Sequence, residues 1–221
     1  MRDRLPLFIF AGIFVVGAII ATYMIKNKNN DGKARYLPIK GDKIAKGEDT
    51  TFHTVMDFSF TNQLGKTITQ KDIEGKNVVV EFFFANCEGI CPVMNSNMMK
   101  VAEAFKNDKE FAILSHTVKP EEDTVEALFL YAQEHKANPE QWHFLTGPKK
   151  ELYRMARKSY LMDNEEGAGD DQDFIHTQFF ALIDKEKHIR GFYDGTNETE
   201  VQQLIFDIKR LKEEQEFNSE K

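Results

Sequence analysis

Hydrophobic and polar positions divide this chain into three regimes. Leu5–Ile25 reads LPLFIFAGIFVVGAIIATYMI, twenty-one residues without a charge. As a helix rising about 1.5 Å per residue it matches the roughly 30 Å hydrocarbon core of a bilayer. A secretory signal has an apolar stretch of only about 7–15 residues; Ala18 and Ala21 make a poor cleavage site, and no cysteine follows to carry a lipid. Residues 1–25 are therefore expected to be a retained single-pass anchor. Residues 26–48 are polar, rich in Lys and Gly and without apolar period, which predicts a flexible tether.

From residue 49 the pattern becomes globular. Phe58–Thr61 and Thr67–Thr69, around a turn at Asn62–Lys66, predict a β-hairpin. Val78–Phe84 is a continuous apolar run, expected in the middle of a sheet. A helix over Val93–Phe105 follows, with Pro92 suited to its first turn. Phe111–Thr117 reads as a strand and Glu121–His135 as a helix that opens with acids. Trp142–Leu145 is strand-like, Lys149–Tyr160 helical, and an acidic loop runs from Asp163 to Asp173. Phe179–Asp184 and Ile189–Tyr193 read as two strands joined by residues 185–188, before a helix from Glu198 to Leu211 and a charged tail at 213–221. This order predicts one α/β domain over residues 49–212, with a mixed central sheet flanked by helices. A thioredoxin-like fold fits it.

Composition narrows the function. At 221 residues the chain has room for one well-buried domain and an appendage. A formal charge of −7 argues against a nucleic-acid partner, which needs a basic face. Two cysteines cannot make a disulfide scaffold, so the fold must rest on an apolar core, which 41% hydrophobic residues supply.

Those two cysteines are the chemical signal. Cys87-Glu88-Gly89-Ile90-Cys91-Pro92 sits where the central strand gives way to a helix. A helix N-terminus carries free N–H groups and partial positive charge, which stabilise a thiolate. The spacing lets both sulfurs converge on one atom, or form a disulfide if the Cα atoms come within about 4.4–6.8 Å. Thioredoxin has two residues between its cysteines and a proline facing them; here there are three, and Pro148 is the last proline in the chain. His176 stands instead at the mouth of a later strand. Two thiolates and an imidazole suit Cu(I), although the same set also holds Cu(II) or catalytic zinc. His53, His135, His143 and His188 are read as surface or edge positions, and His116 as a strand end. Met94, Met98 and Met99 follow the cysteines but are read as core packing. The acidic run at Glu165–Asp171 is read as a solvated loop.

With Cys87-x-x-x-Cys91-Pro92, His176-Thr177 some eighty-five positions on, Lys119–Thr124, Phe144–Gly147 and Gly191–Gly195, the chain resembles the Sco family, also called SenC. The resemblance implies a membrane-anchored copper chaperone with a thioredoxin-like domain, holding copper through Cys87, Cys91 and His176. It implies delivery to the binuclear copper site of cytochrome c oxidase subunit II, or reduction of that subunit's cysteines through a redox-active Cys87–Cys91 pair. Such a protein is not an enzyme with turnover. The chain departs from the family pattern at Glu88-Gly89, at Ile175 and over Lys119-Pro120-Glu121-Glu122, where neighbours that tune recognition and potential are altered.

An anchored thiol-disulfide oxidoreductase is the alternative function. A peroxiredoxin-like peroxidase would need a threonine and an arginine beside its cysteine, and no arginine lies near Cys87 in the sequence. Basic residues flank both sides of the apolar segment, so charge alone does not orient it. The domain is expected outside the cytoplasm. Without an Arg- and Ser-rich presequence, a bacterial cytoplasmic membrane is favoured over the mitochondrial inner membrane.

Overall fold

The computed structural model describes residues 36–46, 49–163 and 173–219, with positions 17, 20–22 and 167. The apolar segment at 5–25, most of the tether and most of the acidic loop lie outside the described residues. Among the described residues no helix is long and apolar enough to cross a membrane.

Among the described residues nine strands form: β1 (Lys43–Lys46), β2 (Asp49–Phe52), β3 (Ser59–Asn62), β4 (Thr67–Thr69), β5 (Asn77–Phe83), β6 (Phe111–Thr117), β7 (Trp142–Thr146), β8 (Phe179–Ile183) and β9 (Ile189–Asp194). Among the described residues of the domain they are accompanied by the α-helices α1 (Cys91–Ala104), α2 (Val125–Glu134), α3 (Lys149–Arg154) and α4 (Glu198–Ser219). Strands β3 to β9 make one mixed seven-stranded sheet in the order β4-β3-β7-β6-β5-β8-β9. β5 lies parallel to β6 on one side and antiparallel to β8 on the other. Every residue of β5 and β6 is buried, as a central strand covered on both faces requires.

The side-chain period of two splits the core into two layers. Val79 and Phe83 of β5 face Met94, Met98 and Val101 of α1, Leu128 of α2 and Leu204 of α4. Val78, Val80 and Phe82 face the opposite layer, which holds Leu152, Tyr153, Met155 and Tyr160 around α3. The expected helix over Lys149–Tyr160 changes character midway: α3 gives way to a π-helical turn over Met155–Ser159. The last helix runs on to Ser219, past the expected end at Leu211, because Leu211 and Glu214 are still buried.

The tether is shorter than expected. Lys43–Lys46 pairs antiparallel with Asp49–Phe52, and Leu37 is buried. The Leu37 N–H donates to Glu214 Oε2 (2.9 Å), while Arg190 Nη2 donates to the Leu37 carbonyl (2.5 Å) and to Glu214 Oε1 (2.6 Å). The Lys40 N–H donates to the Ile189 carbonyl (2.7 Å). These bonds fasten the incoming chain beside the β8–β9 turn.

Candidate metal centre

Strand direction places the candidate residues. β5 ends at Phe83 and leads into Cys87. β8 runs antiparallel to it with Val80 opposite Ala181 and Val78 opposite Ile183. The entrance to β8, just after His176, therefore lies at the same end of the sheet as the exit of β5. The β8–β9 turn lies at the other end.

Asp123 fixes the exit of β5. The Ala85 N–H reaches both oxygens of this buried carboxylate (3.2 and 3.3 Å), and the Thr117 hydroxyl makes a short bond to it. The Val118 N–H donates to the Phe83 carbonyl (2.8 Å), so β6 and β5 leave the sheet together. Burial pushes the Asp123 carboxyl up, against the pull of Thr117 and Ala85.

Helix α1 starts at Cys91 with Pro92, which has no N–H, in its first turn and no side-chain cap; the Val93 and Met94 N–H groups donate to the Ile90 carbonyl (3.1 Å each), which leaves the Cys91 N–H for another acceptor. Both cysteines are free; Cys87 is half-buried and Cys91 buried. Gly89 lies beneath Cys87, whose Sγ would stand 3.8 Å from a Cβ there. Burial pushes the Cys87 thiol up, but the Cys91 thiol and the N–H groups of Cys91, Gly89 and Ile90 outweigh it and hold Cys87 below its ordinary value. Cys91 goes the other way, to about 12, through burial, the proton it shares with Cys87 and the nearby charges of Cys87 and Glu81. The pair is polarised: the more accessible Cys87 is the readier of the two to lose its proton, and the buried Cys91 holds its own.

The floor beneath the pair is polar at a few points. Asn95 Nδ2 donates to the Cys91 carbonyl (3.0 Å) and to the Tyr131 hydroxyl (2.6 Å). The Tyr131 ring stacks on Phe83 at 5.2 Å between centroids. Glu81 is fully buried on the same side of the sheet, and burial raises its carboxyl to about 7 against the pull of the Ser115 hydroxyl.

His176 is exposed, on the segment leading into β8. Buried Ile175 holds that segment down, and the His176 ring lies 4.6 Å from the ring of Phe174. Phe174 in turn meets Phe84 at 5.9 Å, and the Lys119 ammonium sits 4.7 Å from the Phe84 ring centre. His176 thus reaches the base of the cysteine loop through an aromatic contact chain. The three candidate ligand atoms are not gathered within 4.8 Å of one another; among the described residues the group that meets that distance is Asp184, Glu186 and His188, in the β8–β9 turn. There Asp184 already accepts from Arg190 (2.9 Å) and from the N–H groups of Glu186 (2.9 Å) and His188 (2.8 Å), a turn-stabilising role.

Two of the other histidines are core residues, and for His143 this corrects the surface reading. His116 is wholly buried, held down to about 3 by burial, with Nε2 3.2 Å from the Tyr160 hydroxyl. His143 is also buried rather than at the surface, and burial lowers it to about 4. Both lie on β6 and β7, whose two faces are covered. Met94 and Met98 are core residues as expected.

Comparison with known proteins gives the family and the fold. The SCO1/SenC family model matches residues 46–213. The SCO1 protein homolog of Bacillus subtilis (strain 168) is 30% identical over 164 residues, covering 73% of this chain and 84% of that protein. The structure of BsSco, a member of the Sco family of cytochrome c oxidase assembly proteins in which a disulfide switch was identified, superposes with a TM-score of 0.61 at 29% identity, covering 77% of this chain and 98% of that one. ScoI of Bradyrhizobium japonicum, solved with copper bound, shares the fold at a TM-score of 0.56 and 23% identity, covering 72% of this chain and 99% of that one. A family model that spans most of the domain, together with the polarised Cys87–Cys91 pair where β5 meets α1, places this chain in the SCO1/SenC family.

Proposed function

We propose that this protein is a copper metallochaperone, not an enzyme with turnover. It holds one copper ion through the sulfurs of Cys87 and Cys91 and the imidazole of His176, and passes it to the copper site of cytochrome c oxidase during assembly. The observation that carries the reading is the free, polarised cysteine pair at the same end of the sheet as His176. Two soft sulfurs and an imidazole match Cu(I), and Cu(II) is the second state the set accepts. Because the three donors are not already gathered, loading draws His176 inward, and release reverses that motion. Sco relatives assigned to cytochrome c oxidase assembly, and one of the same fold with copper bound, support the choice of cargo and acceptor. The uncharged run at 5–25 supports attachment to a bacterial cytoplasmic membrane with the domain on the extracytoplasmic side.

The test is an anaerobic Cu(I) titration of the reduced full-length chain in detergent against a competing chelator. One tightly held ion per chain is expected, weakened alike by Cys87→Ser, Cys91→Ser and His176→Ala. Binding untouched by all three substitutions would overturn the reading.

A second reading, thiol-disulfide exchange, is favoured by the polarisation itself. The Cys87 thiolate would attack a partner disulfide and release one partner thiolate. The Cys91 thiolate, once its proton is lost, would then displace the second partner sulfur, leaving a Cys87–Cys91 disulfide and a reduced partner. Copper holding and exchange compete for the same dithiol, so oxidation unloads the site.

A further inference from the structure

We propose that Arg157 is a positioning residue for His176: its guanidinium ties together the two ends of the 163–173 segment and fixes where His176 begins its approach to the cysteines. This rests on the copper reading. Arg157 Nη1 and Nη2 donate in parallel to the two oxygens of Asp173, both at 2.6 Å, and Nε donates to Asp163 at 2.9 Å. A forked arginine–carboxylate pair fixes direction as well as distance. All three side chains are nearly closed off from solvent, at 9%, 5% and 8% exposure for Arg157, Asp163 and Asp173. Such burial distinguishes the cluster from a surface ion pair, which contributes little.

Three further contacts converge on the same point. The guanidinium carbon lies 5.5 Å from the ring centre of Tyr153. The Tyr153 hydroxyl is 2.8 Å from the Val118 carbonyl and 3.3 Å from the Asp173 carbonyl, linking the clamp to the end of β6. Gly167 presses so closely on the Asp173 carboxylate that a side chain there would have no room. Arg157 itself sits in the π-helical turn; such single-turn irregularities recur at functional sites.

From Asp173 only three residues lead to His176, a reach of roughly 10 Å at full extension. Asp173 and buried Ile175 are therefore the two ties that hold the histidine's segment. Without the fork, Ile175 and the bond from the Tyr153 hydroxyl to the Asp173 carbonyl remain. The imidazole would then search a larger volume before meeting the sulfurs.

Arg157→Lys keeps the positive charge in the buried cluster but cannot fork, and Asp173→Asn keeps the shape but loses the ion pair. Each is compared with wild type in the chelator titration, with and without His176→Ala. Each clamp variant is expected to weaken Cu(I) binding by on the order of tenfold, the lower end for residues that orient a metal ligand. Neither is expected to weaken it further when His176 is already alanine. In the copper-free protein, amide relaxation at His176 should show larger motion in both variants while β8 is unchanged.

Equal losses with and without His176, unaltered copper binding, or unaltered motion at His176 would overturn the proposal. If His176→Ala itself binds as wild type does, the copper reading fails and takes this one with it. A loss on His176→Ala without one on either clamp variant sinks the clamp alone. Should Arg157→Lys fail to fold, Asp173→Asn decides.

Discussion

Replacing Glu81 with glutamine should change how stability depends on pH. Glu81 Oε1 accepts the Ser115 hydroxyl proton at 2.5 Å, and the Ser115 oxygen receives the Trp142 indole N–H at 2.8 Å. Glu81 Oε2 has no partner. Burial without a cation raises the carboxyl from 4.5 to about 7, so the folded state keeps a proton that the unfolded chain releases. Stability therefore falls as pH rises from about 4.5 and levels off above about 7. With about 1.4 kcal/mol for each pH unit of separation, wild type should lose about 2–3 kcal/mol between pH 5 and pH 8 on account of this residue. Glutamine has the same shape and cannot ionise. Urea unfolding at pH 5, 6.5 and 8 should give the two proteins similar stability at pH 5, with Glu81→Gln ahead by about 2–3 kcal/mol at pH 8. Parallel stability curves across that range would refute the reasoning, because they would mean that Glu81 ionises as readily folded as unfolded.

His116 should give the opposite slope. Burial holds it at about 3, so acid favours the unfolded chain, and wild type should lose about 2 kcal/mol between pH 7 and pH 5 that His116→Phe does not lose, read as a shift of the acid unfolding midpoint. The polarised thiols predict ordered alkylation: at neutral pH and limiting iodoacetamide, Cys87 should react at least about tenfold faster than buried Cys91, and peptide mapping showing equal labelling would contradict it. Gly195→Ala would place a Cβ 2.6 Å from the Phe180 ring and 3.0 Å from the Gln178 carbonyl, at a cost of about 1–3 kcal/mol. An unchanged melting temperature would show that the β8 entrance yields more easily than its packing suggests.

Much of the domain was legible because its strands are long apolar runs. β6 coincides with the expected strand over Phe111–Thr117, and β5 is displaced by one residue. The β1–β2 pair escaped notice because Lys43–Lys46 reads Lys-Ile-Ala-Lys, too short and without the apolar alternation that would separate it from a linker. The π-helical turn left no mark, since helical periodicity does not distinguish it from an ordinary turn.

Site legibility divides the same way. Cys87 and Cys91 announce themselves by spacing, and His176 by its place before a strand. Glu81 was passed over inside the run Val78–Phe84, although a single charge in VVVEFFF is the signal that would have flagged a buried acid. Asp123 and Arg157 could not be weighed from sequence, because each gains its meaning from partners on other segments: Ala85 and Thr117 for one, Asp173 for the other.

The fastening of Leu37 to Arg190 and Glu214 turns the sheet into a lever arm. The incoming chain is held beside the β8–β9 turn, while the cysteines emerge from the far end of β5, seven residues and roughly 23 Å away along the strand. The sulfurs therefore sit at the end of the sheet opposite the one where Leu37 and Lys40 dock. An acceptor must meet the tip farthest from the docked entry segment, so changes at that segment would leave every donor atom as it is.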